Sequence, residues 1–138
     1  MRTFEKIILH CTATEEGAHY DVATIRKWHV EGRGWRDIGY HYLIYLDGSI
    51  HAGRPIMEIG AHTKGQNSCS VGIAYVGGVD KKHEPKDTMT SEQEMAFLLL
   101  VRSLRTVFGN MTLHGHNEFA NKACPSFKVR DKYKFLID

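Results

Sequence analysis

His10, His114, His116 and Cys124 are the residues of this chain whose types and spacing suit metal chemistry. His10 closes a short apolar run, the two later histidines fall in residues 111–116, and Cys124 follows in a polar segment. Imidazole nitrogen and thiolate sulfur are donors that zinc favours, and a site built from three of them leaves the fourth tetrahedral position open, the catalytic rather than the structural pattern. Against this, a lone strand histidine is more often a core or surface residue, and a buried free cysteine usually behaves as a small hydrophobe. Strand geometry removes one candidate. Side chains alternate faces, so Cys11 points away from the face that His10 occupies and is a poor co-ligand. The same alternation gives His114 and His116 a common face and leaves the choice between them open: either can bind, or one can bind while the other orients it.

Residues 5–12 read as a strand buried on both faces, with Ile7, Ile8 and Leu9 at its centre. Asp21 can cap a helix through residue 31 on which Val22, Ile25 and Trp28 recur at helical spacing, and Gly32-Arg33-Gly34 stops it. Residues 40–46, the turn dipeptide Asp47-Gly48 and residues 49–53 read as a β-hairpin. Residues 60–70 carry no period and read as a loop, 71–76 as a buried strand, and 77–87 as a solvated connection. Thr90 with Gln93, or Ser91 with Glu94, makes a capping box ahead of a helix over 95–108 that Gly109 can end in a left-handed conformation. A short strand over 111–116 and a terminal helix over 128–137, with Val129, Tyr133 and Leu136 facing the core, complete the pattern. The expected class is α/β: a single domain spanning 1–138 with a central mixed β-sheet flanked by helices, and no Gly-rich phosphate loop.

The 138 residues, 42% apolar, are enough for one core that folds without staples. A formal charge of +2 is too small to imply a nucleic-acid partner or a membrane-surface protein. The longest apolar run, 96–101, cannot span a bilayer, and Ile7-Ile8-Leu9 is far short of a secretory h-region. Three cysteines at irregular spacing argue against a disulfide framework and for a reducing compartment. The expectation is a protein that is cytoplasmic as synthesised and a monomer.

The segments HCTAT (10–14), IRKWH (25–29), GWRDIGYHY (34–42), DGSIHAGR (47–54), GAHTKGQN (60–67), VGGVD (76–80) and KACPSF (122–127) run in order along nearly the whole chain. Together they resemble the zinc N-acetylmuramoyl-L-alanine amidases, whose fold is shared with peptidoglycan recognition proteins. The resemblance implies that zinc is held by His10, by the histidine eight residues before the cysteine, which is His116, and by Cys124. It implies functional roles for Tyr40, in the GYH motif, and for Lys122, two residues before Cys124. Without it, Tyr40 reads as a packed strand aromatic and Lys122 as a solvated loop charge. Two positions depart from the pattern of a phage member: Asn117 stands for a histidine and Asn121 for a proline, which bears on how rigid the loop is.

The activity implied is hydrolysis of the amide joining the lactyl group of N-acetylmuramic acid to L-alanine in peptidoglycan, as phage or prophage endolysins perform it, acting on the wall after release from the cytoplasm. Such hydrolysis needs an activated water, a polarised carbonyl, a stabilised oxyanion and a proton for the amine; zinc suits the first two and a Lys122 cation the third. His62, in the loop GAHTKGQN, is expected to line the substrate groove, and Asn67 and Ser68 to hold that loop through side chain to backbone bonds. Trp28 and Trp35 are expected in the core or the groove wall, and His19, His29, His41, His51 and His83 as structural or surface residues. The rival class is a recognition module that binds muramyl peptides without cutting them; such relatives typically lack the zinc cysteine, whereas Cys124 is present. A phage member of the family also inhibits its phage's RNA polymerase, a partner that the resemblance raises and nothing in this sequence supports.

Overall fold

The computed structural model describes residues 2–137. Its centre is β1 (Lys6–Cys11), flanked in parallel by β5 (Ser70–Tyr75) and β7 (Thr112–Gly115). β3 (Tyr42–Ile44) lies parallel to β5, and β4 (Ile50–Ala52) closes the edge antiparallel to β3, giving the mixed order β4-β3-β5-β1-β7. Every residue of β5 is buried, as a central parallel strand covered on both faces requires.

Alternation along β1 sorts the two layers. Ile7, Leu9 and Cys11, with Val71, Ile73 and Tyr75 of β5, face α2 (Ser91–Phe108), whose Ala96, Phe97, Leu100, Val101 and Leu104 form a buried stripe. Met111, Leu113, Val129 and Tyr133 close this larger core. The opposite face carries a smaller cluster in which Leu43, Ala74 and Val76 meet Ile38 and Ile25 of α1 (Val22–Lys27). His10 belongs to that second face, one residue out of step with Leu9 and Cys11.

Helix ends follow side-chain chemistry. Asp21 Oδ1 accepts from the Thr24 N–H at 2.8 Å and caps α1, which continues as a wider π turn, Trp28–Gly32, and stops before Gly34 at φ +72°. The capping box settles on Thr90: its hydroxyl accepts from the Gln93 N–H at 3.0 Å, and Gln93 Oε1 accepts from the Thr90 N–H at 2.9 Å. The helix therefore begins at Ser91, ahead of the expected 95. Gly109 has the expected positive φ, +99°, but with ψ −168° it is extended rather than left-handed helical.

Four further differences have local causes. β2 (Thr14–Glu15) and β6 (Gly78–Val79) pair as a small parallel sheet, β6 within the segment read as a connection and β2 where no element is expected, because two-residue strands are too short to show a period. The hairpin strands are shorter than 40–46 and 49–53. The terminal helix is α3 (Val129–Lys132), broken where Tyr133 turns to ψ +40° and resumed as a 3-10 turn, Lys134–Leu136. The strand expected over 111–116 stops at Gly115, and His116 opens a 3-10 turn, so His114 and His116 do not share a strand face.

Gln93, fully buried, joins the layers: its Nε2 donates to Val76 O at 3.0 Å and to Ile44 O at 3.2 Å. Gln93→Ala removes these bonds and half of the capping box, and is expected to lower the unfolding free energy in urea by about 2–4 kcal/mol with an unchanged slope. Stability equal to the parent's would show that the amide carries no such weight.

Candidate metal centre and cleft

Parallel pairing brings the carboxyl ends of β1, β5 and β7 to one edge of the sheet, and three donors from separate parts of the sequence meet there. His10 comes from the end of β1, His116 from the turn after β7 and Cys124 from the loop beyond; their ligand atoms all lie within 4.8 Å of one another. The His10 and His116 rings are 4.5 Å apart, and Cys124 Sγ lies 3.9 Å from His10 Nδ1. Cys11 packs in the α2 core, and its backbone N–H donates to Cys124 Sγ at 3.2 Å. His114 stands apart from the cluster, with Nδ1 2.8 Å from Glu118 Oε1 and Nε2 2.7 Å from Thr112 Oγ1.

The Cys124 loop is tied down on several sides. The buried Tyr75 hydroxyl donates to Pro125 O at 2.7 Å, Ser126 Oγ donates to Gly78 O at 2.6 Å, and the Cys124-Pro125 peptide is cis. Asn117, one of the departures from the phage pattern, donates to Phe127 O at 3.1 Å and so links the His116 turn to the Cys124 loop.

Electrostatics prepare these donors for a cation. Burial, then the neighbouring His62 and His116 and the charge of Lys122, holds the His10 imidazole well below the ordinary histidine range; burial and Lys122 lower His116. Both rings therefore present neutral lone pairs. The Cys11 side chain and burial push the Cys124 thiol up, while the Cys11 N–H and Lys122 pull the other way. Two neutral imidazoles and one thiol at this spacing form a donor set that fits a metal ion.

Above the cluster opens a cleft of about 520 Å³ lined by Tyr40, Trp35, His62 and three cations, Arg33, Lys64 and Lys122, with no acidic residue among the described residues that line it. The Tyr40 ring lies 5.2 Å from His10, and burial pushes its phenol far above its ordinary pKa. His62 lines this groove but is no exposed loop residue: it is 8% exposed, with Nδ1 2.8 Å from His10 Nε2. Asn67 holds that loop as expected, Oδ1 accepting from the N–H of His62 and of Thr63 at 2.9 Å each.

Sequence reasoning passed over two cleft residues, His29 and Arg33. His29 is buried, accepts from the Gly39 N–H at 2.9 Å through Nδ1, and packs 5.3 Å from the Tyr40 ring. Arg33 sits over Trp35 at 5.2 Å. The available signal was position: the two are four residues apart beyond α1, His29 within the π turn and Arg33 directly after it. Trp35 is a groove-wall residue, whereas Trp28 is 43% exposed and outside the cleft, and His29 rather than Trp28 follows Ile25 on the buried side.

The sequence pattern of the N-acetylmuramoyl-L-alanine amidases matches residues 1–127. The endolysin of Klebsiella phage KP32 is 42% identical over 125 residues, covering 91% of this chain and 82% of that protein. The endolysin of Escherichia phage T7 is 40% identical over 126 residues, covering 91% and 83%. Among solved structures, the N-acetylmuramoyl-L-alanine amidase LysC of Clostridium intestinale superposes with a TM-score of 0.82 at 28% identity, over 99% of this chain and 88% of that one. A match that runs from the first strand through the Cys124 loop takes in every element that forms the cleft, and the chain belongs to the N-acetylmuramoyl-L-alanine amidase family.

Proposed function

We propose that this chain is a zinc-dependent hydrolase of the endolysin type, cutting the amide between the lactyl carbonyl of N-acetylmuramic acid and the L-alanine nitrogen in peptidoglycan, with residues 1–138 as one catalytic domain. The observation that carries it is the convergence of His10, His116 and Cys124, two of which line the cleft, in a member of the amidase family. The named relatives support the substrate, and the all-cationic charged lining of the cleft suits an anionic peptide.

In this reading His10, His116 and Cys124 hold zinc. When bound, the ion supplies a Lewis acid for the scissile carbonyl and activation of the attacking water. Water oxygen adds to the lactyl carbon, the C–N bond breaks, and the amine leaves with a proton, so one water is consumed per bond cut. Lys122, lining the cleft two residues from Cys124, faces the charge that develops on the carbonyl oxygen. Tyr40 donates a hydrogen bond from its protonated phenol to the tetrahedral centre. The walls of the cleft orient the sugar and peptide on either side of the bond.

Digestion of purified peptidoglycan tests the proposal directly. New L-alanine amino termini without new reducing ends, abolished by a chelator and restored by zinc, are expected; tight binding of muramyl peptides with no bond cut would favour the recognition-module alternative instead. Metal analysis of variants tests the ligands: His116→Ala and Cys124→Ser are expected to lose stoichiometric zinc and His114→Ala to retain it, while a metal-free His114→Ala protein would reverse the assignment. Lys122→Ala is expected to keep fold and zinc but lose about 10²–10³-fold in kcat, and parental turnover would remove the lysine from the mechanism.

A further inference from the structure

We infer that His62, Ser70 and the backbone carbonyl of Gln66 form a hydrogen-bond relay that fixes the tautomer and rotation of His10, aiming its Nδ1 lone pair at the metal site; the inference rests on the metal-binding reading above. The direction of each bond follows from counting protons. Ser70 has one hydroxyl proton, and it is given to Gln66 O at 2.7 Å. Ser70 Oγ can then only accept from His62 Nε2, at 3.3 Å, so His62 carries its proton on Nε2 and offers a lone pair at Nδ1. That Nδ1 lies 2.8 Å from His10 Nε2. Two lone pairs do not face each other at this distance, so His10 Nε2 bears the proton and His10 Nδ1 is left as the donor atom. Thr63 Oγ1, 3.2 Å from His10 Nε2 and 3.0 Å from His62 Nδ1, fits the same assignment as a second partner of that proton.

The surroundings are shaped for the His62 ring. His10, His62, Thr63 and Ser70 are all buried, so water does not compete for these bonds. Gly72, on β5 opposite Ile8, leaves space that a side chain would occupy: a Cβ there would lie 2.6 Å from the His62 imidazole, and one at Gly60 would lie 2.9 Å from it. His41, the other histidine against His62, has Nδ1 accepting from the Gly72 N–H at 3.0 Å and Nε2 on Glu58 O at 2.8 Å, so neither nitrogen competes for the relay. His62 is thus a positioning residue acting through His10. Outer partners of this kind commonly change metal affinity by about 10–100-fold.

Two measurements test it. In the zinc-free parent, long-range 1H–15N spectra are expected to show the ring proton of both His10 and His62 on Nε2, with a 15N–15N coupling across the bond between the two rings; a proton on His10 Nδ1 overturns the inference. Zinc affinity by chelator competition is expected to fall about 10–100-fold in His62→Phe, which fills the volume without an acceptor. His62→Asn, whose Oδ1 can replace Nδ1, is expected to recover most of that loss, and Ser70→Ala to fall between. Parental affinity in a folded His62→Phe protein overturns the relay while leaving the metal site intact. A parent that binds no zinc at all refutes the metal reading instead, and the spectra still decide the tautomer.

Discussion

The site depends on the parallel register between β1 and β7. That pairing sets Ile8 across from His114 and Leu9 across from Gly115. Continued by one residue beyond its last pair, it brings 116 level with His10, which is why rings more than a hundred residues apart in sequence lie at 4.5 Å. His114 is held two residues deeper along the strand, opposite a core isoleucine, and its nitrogens turn to Glu118 and Thr112. A strand rises about 3.3 Å per residue, so a shift of two residues moves a side chain by more than the spread of the whole donor cluster. Cys124 then needs only a loop anchored to Cys11 and Tyr75, at the ends of β1 and β5, and to Gly78 in the small β2-β6 sheet beyond them.

The two faces of the sheet divide the work of stability and chemistry. The α2 side is dense with aromatic and branched residues, while the His10 side is made of Gly72, Ala74 and a few aliphatics, with histidine rings in the space that small residues leave. Burying several imidazoles is adverse unless each nitrogen finds a partner. Among the described residues no buried side-chain nitrogen or oxygen lacks one. The polar face is therefore specific rather than merely tolerated: its bonds hold rings in place, and the larger core across the sheet supplies the burial free energy.

What could be read from sequence divides along the same physical lines. The buried runs at Ile7–Leu9 and Val71–Val76, the Asp21 cap, the Thr90–Gln93 box and the Asp47-Gly48 turn are local signals, and each is present. Alternation correctly turned Cys11 away from His10 but could not decide between His114 and His116, because the strand end and the inter-strand register are tertiary facts. The family resemblance implies His116, and in the structure it is His116 rather than His114 that lies with His10 and Cys124. His62 was harder still. A loop histidine in an aperiodic segment shows no burial signal, and its environment is built by Gly72 and Ser70 on β5 and by His10 on β1, none of them near enough to pattern with it. The π turn, Trp28–Gly32, is likewise invisible to a 3.6-residue period.

Lys122 presents an electrostatic conflict that bears on its proposed role. A lysine beside a site for a divalent cation would repel that ion, and among the described residues no carboxylate lines the cleft to offset it. Its charge has a second effect on the same groups: it lowers the pKa of His10 and His116 and opposes the rise of Cys124. In each case the form favoured is the one that donates an electron pair to a metal, so the lysine weakens attraction to the ion while preparing the ligands to receive it. On the reading proposed above, negative charge developing on the carbonyl oxygen as water adds would offset that repulsion, which is where a lysine cation in the cleft would act.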